Sequence, residues 1–570
     1  MDAMTKYRAW LTSPALSDME KEELRALEGD AGEIESRFYS QLEFGTAGLR
    51  GIMGTGLNRL NAHVIRHATQ AFAEVILEDG APSPCVALCF DSRNNSPEFA
   101  REAAAVMAGN NVRVRIFDAL RPTPELSFAI REYGCAAGIN ITASHNTKEY
   151  NGYKVYWSDG AQLSPQRAAA VAAKMASLDV FASVRRLPLD EAAARGLIQT
   201  MGAETDALFM ARVMAQAGGI DIPDGFKMVY TPFHGAGYKL VPEALGRLGV
   251  KNVYCVAEQM VTDGNFPTVA SPNPENPEGF RLASALAKKH GADFILGTDP
   301  DSDRVGIMIL DKNGAYAPIS GNRTGVLLLD YLIGAKTRNG TMPENPVALK
   351  TIVTTEMARR VAEQNGVRCI DTFTGFKFMA ERKNEMESRG EGKVIFSYEE
   401  SYGYMLGDYV RDKDAVTASL LLTEMAAWYY GKNMTLRGAL DALFEKYGFY
   451  DEETLNLVMP GLDGLARMSA LMCGLRENPP TEISGIRVAR RRDYLDGTEL
   501  DVRTGETEKI ELAGSNVLRF ELDDGAVILA RPSGTEPKIK IYLLASGKTR
   551  ADCAEQLERC RAWAQAKNNC

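Results

Sequence analysis

Apolar strand patterns alternate with helical segments along much of this sequence. A strand pattern at 86–90 is followed by a helical run at 97–108 and by a second strand at 112–117. The alternation restarts at Phe226 and again near Ala348. Strands that alternate with helices in this way indicate βαβ units. The pattern therefore predicts a chain built largely from α/β domains.

Length and a change of pattern near residue 450 add further constraints. A chain of 570 residues is too long for one hydrophobic core and suggests three or four domains. Beyond 450, helical stretches precede alternating strands at 517–522 and 527–530, which predicts a fourth domain with an antiparallel sheet. Residues 1–40 are expected to form two short helices, the second opened by a capping box of Ser17 and Glu20.

Composition limits the partners and the compartment. Hydrophobic residues make up 45% of the chain and charged residues 25%, as in ordinary soluble globular proteins. No apolar run resembles a signal peptide or a membrane span, so a cytoplasmic protein is expected. The net charge of −10 disfavours nonspecific binding to nucleic acid or membranes. Nine cysteines without a Cys-x-x-Cys pair argue against a disulfide framework or a zinc ribbon.

One strand ends in a cluster of small polar residues. The apolar run 136–141 leads into Thr-Ala-Ser-His-Asn at 142–146. A serine hydroxyl such as that of Ser144 is a weak nucleophile that needs a base, a metal or a strong electrophile, and His145 and Lys154 are candidates for the base. The alternative is a turn with incidental hydroxyls, because Ser and Asn are common turn residues.

A second strand, near 293–297, ends in three alternating carboxylates. Asp299, Asp301 and Asp303 repel one another unless a cation lies among them, and all-oxygen ligands suit Mg²⁺. An EF-hand is excluded because its sixth and twelfth loop positions hold Arg304 and Leu310 instead of Gly and Glu. A solvated acidic turn is the remaining alternative.

A phosphate-binding loop is predicted near the end of the chain. The segment Arg-Pro-Ser-Gly-Thr at 531–535 places a guanidinium beside two hydroxyls and a glycine. Arginine binds two phosphate oxygens at once, and glycine lets backbone N–H groups approach. A tight hairpin is the alternative.

These motifs resemble those of the α-D-phosphohexomutases, the family of phosphoglucomutases and phosphomannomutases, along nearly the whole chain. The matching segments are 44–51, 142–146 with 151–154, 299–304, 372–377, 398–403, 411–414 and 531–535. By themselves, 372–377 could be a helix N-terminus, 398–403 a strand-to-helix turn and 411–414 a solvated charged loop. In 398–403, Glu400 and Tyr402 depart from the phosphomannomutase form and are nearer the glucose-type form.

The resemblance implies an α/β fold of four domains around a central cleft. Three α/β domains with mixed sheets and a C-terminal α+β domain are expected. Their predicted bounds are 1–205, with the N-terminal helices and the phosphoserine loop; 206–317, with the metal loop; 318–448, with the sugar-binding loop; and 449–570, with the phosphate-binding loop.

The resemblance also implies a role for individual residues. Ser144 would carry the phosphoryl group, and His145, Lys154 and Arg50 would complete the catalytic set. Mg²⁺ would be bound by the phosphoserine at Ser144 with Asp299, Asp301 and Asp303, and Arg304 would stabilise the phosphoryl group. The implied substrate-binding residues are Thr374, Gly375, Lys377, Glu399, Ser401, Lys413, Arg531, Ser533, Gly534 and Thr535.

The implied reaction interconverts glucose 1-phosphate and glucose 6-phosphate through glucose 1,6-bisphosphate, which serves as intermediate and activator. Alternatives within the family are phosphomannomutase, phosphopentomutase and glucose-1,6-bisphosphate synthase activities. More distant alternatives are a Mg²⁺-dependent sugar phosphatase and a non-catalytic sugar-phosphate sensor. The expected partners are small sugar phosphates, without nucleic acid or membrane, and the protein is expected to be a monomer or a homodimer.

Overall fold

The computed structural model describes residues 2–45, 48–459, 463–533 and 538–567. Within these ranges the chain forms four successive sheets, each with helices packed against it. The first three sheets mix parallel and antiparallel strands, and the fourth is antiparallel. The predicted architecture of three α/β domains and a C-terminal α+β domain is confirmed.

Three helices, rather than the expected two, precede the first sheet. They are α1 (Ala3–Thr12), α2 (Asp18–Arg25) and α3 (Ala31–Phe38). The capping box of Ser17 and Glu20 opens α2 as predicted. The third helix arises because the Asp30 side chain accepts from the backbone N–H of Glu33 and so caps a new N-terminus.

The first sheet has the strand order β1-β5-β4-β2-β3-β6. Its strands and the helices around it are β1 (Leu49–Ile52), α4 (Ala62–Glu78), β2 (Cys85–Phe90), α5 (Ser96–Gly109), β3 (Arg113–Phe117), α6 (Thr123–Glu132), β4 (Ala137–Ile141), β5 (Tyr150–Trp157), α7 (Pro165–Ser177), α8 (Leu189–Ala194), β6 (Ile198–Met201) and α9 (Ala203–Met214). Because β2 and β4 are parallel neighbours, the loops that follow them leave the sheet at the same edge. Those loops carry Arg93 and Ser144.

The second sheet has the order β11-β10-β9-β7-β8. Its elements are β7 (Lys227–Thr231), α10 (Gly237–Arg247), β8 (Asn252–Cys255), α11 (Ala257–Met260), a 3-10 turn (Pro277–Phe280), α12 (Arg281–His290), β9 (Phe294–Thr298), β10 (Val305–Leu310) and β11 (Tyr316–Pro318). Strands β9 and β10 are antiparallel, with Thr298 opposite Val305. The three aspartates therefore occupy one tight turn between two buried strands.

The third sheet has the order β13-β12-β14-β15. Its elements are α13 (Gly321–Arg338), β12 (Pro346–Thr351), α14 (Met357–Gln364), β13 (Arg368–Thr372), α15 (Phe376–Ser388), β14 (Lys393–Glu399), β15 (Gly403–Met405), α16 (Ala415–Gly431) and α17 (Leu436–Tyr447). The turn between the antiparallel strands β14 and β15 carries Glu400 and Ser401. Residues of the second and third sheets share one large hydrophobic core.

The fourth sheet has the order β16-β23-β22-β21-β18-β19-β20, and β17 pairs with β18. Its elements are β16 (Phe449–Val458), α18 (Gly464–Glu477), β17 (Glu482–Ile483), β18 (Ile486–Asp493), β19 (Thr498–Asp501), β20 (Thr507–Lys509), β21 (Leu518–Leu522), β22 (Val527–Pro532), β23 (Lys538–Gly547) and α19 (Arg550–Ala566). Helix α19 buries Cys553 and Leu557 against this sheet, as expected for a closing helix. Arg531 lies at the end of β22.

Main-chain hydrogen bonds join loops of the first three domains. The N–H of Thr123 donates to the carbonyl oxygen of Asp301 (2.8 Å), and that of Val305 donates to the carbonyl oxygen of Tyr402 (3.1 Å). These bonds join the start of α6 to the aspartate loop, and the aspartate loop to the turn that carries Glu400. None of the helices in the described parts of the chain combines the length and apolarity needed to cross a bilayer.

Candidate active site

Ser144 is buried in a strained loop conformation. Its side chain is 3% exposed, and its φ of +54° lies in the left-handed region that non-glycine residues rarely adopt. The Oγ donates to Asp299 Oδ2 (3.0 Å) and lies 3.2 Å from His145 Nδ1. A hydroxyl held in this way between a carboxylate and an imidazole is typical of a reactive group.

The three aspartates form one compact buried cluster. Each of Asp299, Asp301 and Asp303 offers a carboxylate oxygen, and these oxygens all lie within 4.8 Å of one another. All three side chains are essentially inaccessible to solvent. Burial and the charges of Asp301 and Asp303 raise the pKa of Asp299 well above its usual range. The alternative of a solvated acidic turn is therefore excluded.

Two lysines from other domains reach this cluster. Lys154 Nζ on β5 lies 2.7 Å from Asp301 Oδ2 and 3.4 Å from Asp303 Oδ2. Lys413 Nζ lies 3.2 Å from Asp303 Oδ2. Burial alone lowers the pKa of Lys154, but Asp301 and Asp303 outweigh it and the pKa lies above its usual value. In this arrangement the Lys154 ammonium is therefore stabilised by the two aspartates.

The aspartate cluster fits a divalent metal ion. The Oδ1 atoms of Asp301 and Asp303 are buried and have no hydrogen-bond partner in the described parts of the chain. Buried carboxylate oxygens cost free energy unless they are paired or bind a cation. A set of closely spaced oxygen ligands suits a hard ion such as Mg²⁺.

Arg50 and Arg304, which are also predicted site residues, lie close enough to His145 for their charges to act on it. Arg50 lies on the edge strand β1 and donates to Asn146 Oδ1 (3.0 Å). Arg304 donates to Glu275 Oε1 (3.3 Å), and its backbone N–H donates to Asp299 Oδ1 (2.9 Å). Burial and the charges of Arg304 and Arg50 lower the pKa of His145 well below its usual range. The lowered pKa keeps the His145 imidazole neutral at pH 7.

The third domain contributes a row of polar groups beside the cluster. Glu399, at the end of β14, is buried, and its charge acts on both Arg304 and Lys413. Ser401 follows in the turn and is half-buried. The Glu400 carboxylate between them accepts from Thr351 Oγ1 (3.3 Å). Burial and the neighbouring Glu399 raise the pKa of Glu400 to about 7.

Residues 411–414 form a buried segment, which excludes the alternative of a solvated charged loop. Asp412 Oδ2 accepts from Tyr156 Oη (3.1 Å) and from Gln162 Nε2 (2.9 Å), both in the first domain. Its Oδ1 lies 3.2 Å from Lys413 Nζ. These contacts across the domains fix the Lys413 ammonium against Asp303.

The segment that holds Thr374, Gly375 and Lys377 lies at the start of α15 in the third domain. Gly375, with a φ of +116°, precedes α15, and the buried Oγ1 of Thr374 has no hydrogen-bond partner within the described residues. Lys377 Nζ lies 4.9 Å from the ring centroid of Phe378 and faces a cavity of about 310 Å³ that Trp157 also lines. Burial lowers the pKa of Lys377 to about 8.

The predicted phosphate loop faces Glu400 from the fourth domain. Arg531 on β22 is the cross-strand partner of Lys540, and both charges act on the Glu400 carboxylate. The side chain of Arg531 also hydrogen bonds to Tyr542. The N–H of Ser533 donates to the carbonyl oxygen of Lys538 (2.8 Å), which closes the hairpin. Gly534 and Thr535, also predicted to bind phosphate, lie outside the described residues.

Two contributors to the site carry no role in the sequence prediction. Thr123 Oγ1 donates to Asp301 Oδ2 (2.9 Å), and Arg93 binds the carbonyl oxygens of the serine loop. Arg93 follows β2, whose neighbour β4 leads to Ser144, so the sheet order was the signal that could have identified it. Thr123 opens α6, and nothing in its local sequence indicates a contact with Asp301.

The four domains match the models of known protein domain families. Four family models match in order: Phosphoglucomutase/phosphomannomutase alpha/beta/alpha domain I at 41–180, domain II at 215–314, domain III at 320–447 and the C-terminal domain at 484–559. Together they match more than half of the chain. Domains of these types, with loops that meet at one buried polar site, define an enzyme of the phosphotransferase and isomerase class.

Relatives over nearly the whole length agree with the domain matches. A phosphoglucomutase of Staphylococcus aureus (strain bovine RF122 / ET3-1) is 36% identical over 531 residues, which cover 92% of this chain and 93% of the relative. The phosphoglucomutase of strain MSSA476 is 36% identical over 532 residues, 92% of this chain and 94% of the relative. The chain belongs to the phosphoglucomutase/phosphomannomutase family.

Solved structures support the same fold. A phosphoglucomutase/phosphomannomutase family protein from Burkholderia thailandensis aligns with a TM-score of 0.67 and 21% identity, over 93% of this chain and 98% of that one. The pp63/parafusin phosphoglucomutase of Paramecium, in an open form, aligns with a TM-score of 0.66 and 16% identity, over 92% and 95% of the two chains. At these identities the likeness concerns the fold alone.

Proposed function

We propose that this protein is a phosphosugar mutase that interconverts glucose 1-phosphate and glucose 6-phosphate, with Ser144 as the phosphoryl carrier. The observation that carries the proposal is the contact of the Ser144 hydroxyl with Asp299, inside a cluster of three aspartates. A nucleophile beside a cation site is the arrangement that phosphoryl transfer requires. Glucose 1,6-bisphosphate is the proposed intermediate and activator.

In the proposed cycle the phosphoryl group moves from Ser144 to the free hydroxyl of a hexose monophosphate. The P–O bond to Ser144 Oγ breaks and a P–O bond to the sugar oxygen forms. The sugar hydroxyl gives up its proton, and the Ser144 oxygen takes one up to become a free hydroxyl. The resulting bisphosphate reorients and returns its other phosphoryl group to Ser144. Phosphate thus shifts between C1 and C6 without net consumption.

The residues around Ser144 have distinct proposed roles. We propose that His145, whose Nδ1 lies 3.2 Å from the Ser144 oxygen, exchanges a proton with that oxygen as the phosphoryl group leaves and returns. Lys154 and Lys413, both cationic, hold the aspartates and offset negative charge. Arg50 and Arg304 are proposed to contact the phosphoryl oxygens.

Mg²⁺ is the proposed cofactor. Asp299, Asp301 and Asp303, with an oxygen of phosphorylated Ser144, would hold it, because unpaired carboxylate oxygens already converge there. When bound, the ion withdraws negative charge from the phosphoryl oxygens.

The proposed sugar and phosphate sites lie on the third and fourth domains. Glu399 and Ser401 would bind sugar hydroxyls, with Thr374, Gly375 and Lys377 beside them. Arg531 and Ser533, with Gly534 and Thr535, would hold the phosphate that does not react. The Glu-Glu-Ser form at 399–401 and the relatives named phosphoglucomutase favour glucose.

A coupled assay tests the proposal. The purified protein is expected to convert glucose 1-phosphate to glucose 6-phosphate with Mg²⁺ and to respond to glucose 1,6-bisphosphate. Activity confined to mannose or pentose phosphates would contradict the glucose assignment but not the mutase reaction. Inorganic phosphate as the main product would identify a phosphatase, and binding without turnover a sugar-phosphate sensor.

A further inference from the structure

One buried arginine holds the main chain of the serine loop from behind. Arg93 follows β2, and its side chain is 1% exposed. Its Nη2 donates to the carbonyl oxygens of Ser144 (2.6 Å) and Asn146 (2.5 Å), and its Nη1 donates to those of Thr147 (2.8 Å) and Tyr150 (3.0 Å). A single guanidinium therefore fixes the loop over its whole course from the serine to the start of β5.

These contacts occupy the donors of Arg93. A guanidinium has five N–H groups, and the four terminal ones can all be directed to these four carbonyl oxygens. The remaining nitrogen, Nε, lies 3.3 Å from Asp91 Oδ2. Asp91 is itself fixed, because its Oδ1 accepts from Ser96 Oγ (2.8 Å) and from the N–H of Arg93 (2.9 Å). The terminal N–H groups of Arg93 are thus committed to the serine loop, whereas the buried Nε lies beside Asp91 without a hydrogen bond in the described parts of the chain.

A loop of the second domain covers this arrangement. The Arg93 guanidinium carbon lies 5.1 Å from the ring centroid of Phe266, which is 3% exposed. Asn94 Nδ2 donates to Asn265 Oδ1 (3.0 Å). A Cβ added to Gly264 would lie 2.3 Å from the backbone nitrogen of Asn94, so this approach requires glycine. The loop around Phe266 therefore packs closely on the first domain at Arg93.

The serine loop needs such support because of its conformation. Ser144 has a φ of +54°, which is strained for a residue with a side chain and persists only when its surroundings hold it. In the proposed cycle the same loop must keep one shape with a free hydroxyl and with a phosphoryl dianion. Hydrogen bonds to four carbonyl oxygens do not depend on what Ser144 Oγ carries.

We infer that Arg93 is a positioning residue for phosphoryl transfer, which fixes the Ser144 loop through main-chain carbonyls and is itself held by Asp91 and Phe266. This inference rests on the proposed role of Ser144 as the phosphoryl carrier. Loss of Arg93 is therefore expected to slow phosphoryl transfer and to leave the binding of the monophosphate unchanged. The proposed contacts of the monophosphate lie on the third and fourth domains.

The direct test is Arg93→Lys. Lysine keeps the charge but cannot direct four N–H groups to four carbonyl oxygens. Because small misplacements of a reacting group cost roughly 100-fold in rate, kcat is expected to fall by about that factor, while KM for glucose 1-phosphate stays within about threefold. The phosphorus NMR signal of phosphoserine is expected to broaden or shift.

A matched control is Arg66→Lys. Arg66 lies on α4 of the same domain, is partly buried and donates to Glu102 through Nε (2.7 Å) and Nη2 (2.8 Å). This variant also loses a two-point guanidinium contact, but away from the serine loop. It is expected to lower the melting temperature without changing kcat.

Chemical rescue separates positioning from a general loss of structure. For Arg93→Gly, millimolar guanidinium is expected to restore kcat by about tenfold or more, whereas urea, which is neutral and similar in shape, is not. If the Arg93 variants do not fold, Phe266→Leu provides the measurement, because it loosens Arg93 and leaves every hydrogen bond in place. Its kcat is expected to fall several-fold at constant KM.

Three results would overturn the inference. They are an Arg93→Lys enzyme with wild-type kcat, a variant in which KM rises while kcat is kept, and a Phe266→Leu enzyme with unchanged kcat. Failure of the proposed function would look different, because the wild-type enzyme itself would then lack phosphate on Ser144 or mutase activity.

Discussion

The two lysines at the aspartate cluster lead to a quantitative prediction about metal and stability. Lys154 is 4% exposed, and its Nζ lies 2.7 Å from Asp301 Oδ2. Lys154→Met keeps most of the side-chain volume but removes this cation. Removal of one partner from a buried ion pair costs about 3–5 kcal/mol, because the other charge stays buried without compensation. Each kcal/mol lowers the melting temperature of a domain of 150–250 residues by about 2–4 °C.

In EDTA, the Lys154→Met protein is therefore expected to melt about 6–20 °C below wild type. The pKa of Lys154 is raised in the folded protein, so its contribution to stability is complete below the ordinary lysine pKa of 10.5 and is lost only as the pH rises through the folded value. The difference is thus expected to be constant between pH 6 and pH 9. Differential scanning fluorimetry measures it.

Mg²⁺ is expected to reverse much of this loss. A ligand at 100 times its Kd stabilises the folded state by about 2.7 kcal/mol, and the ion meets a more negative site once Lys154 is removed. The melting temperature of Lys154→Met should therefore rise more with Mg²⁺ than that of wild type. Turnover should stay low, because the charge that offsets the phosphoryl group is missing.

Lys383→Met is the matched control. Lys383 is 1% exposed and pairs with Glu387 at 2.8 Å on α15, away from the aspartates. Its replacement should leave the response of the melting temperature to Mg²⁺ at the wild-type value. The reasoning would be refuted if Lys154→Met melted with wild type in EDTA, or if Mg²⁺ stabilised both lysine variants equally.

Three further predictions concern other parts of the site. Asp301→Asn should lower kcat by at least about tenfold with little change in KM and weaken the Mg²⁺ dependence; unchanged kcat and an unchanged metal titration would contradict the metal assignment. Arg531→Lys should raise KM for both monophosphates by a similar factor, and Arg531→Ala should raise both by roughly ten- to a hundredfold. An effect on one monophosphate only would exclude a shared phosphate site. Because the pKa of Glu400 is raised to about 7, its carboxylate is neutral below that pH and competes for Arg531 and Lys540 above it. KM should therefore rise with pH around 7 in wild type and not in Glu400→Gln, and parallel profiles would contradict this.

The local motifs could be predicted from the sequence because each lies within one turn. The three aspartates alternate in a hairpin after a strand, and this spacing favours a cation site over a solvated acidic turn. The capping box at Ser17 is another local pattern that the structure confirms. Such features depend on a few neighbouring residues and not on the rest of the fold.

Contacts between domains could not be predicted in this way. Lys154 and Asp301 are 147 residues apart, and only the packing of the first and second domains brings them together. Arg93 binds main-chain carbonyl oxygens, which every residue possesses, so no side-chain pattern marks its partners. Burial of 411–414 likewise depends on Tyr156 in another domain, and a run of alternating charges gives no sign of it.

The location of the phosphoryl group tests the central claim most directly. The protein is incubated with radiolabelled glucose 1,6-bisphosphate and digested, and the labelled peptide is sequenced by mass spectrometry. The label is expected on Ser144 and should move to sugar when unlabelled glucose 1-phosphate is added. Label on another residue, or a Ser144→Ala protein that turns over at the wild-type rate, would contradict the role of Ser144 as phosphoryl carrier.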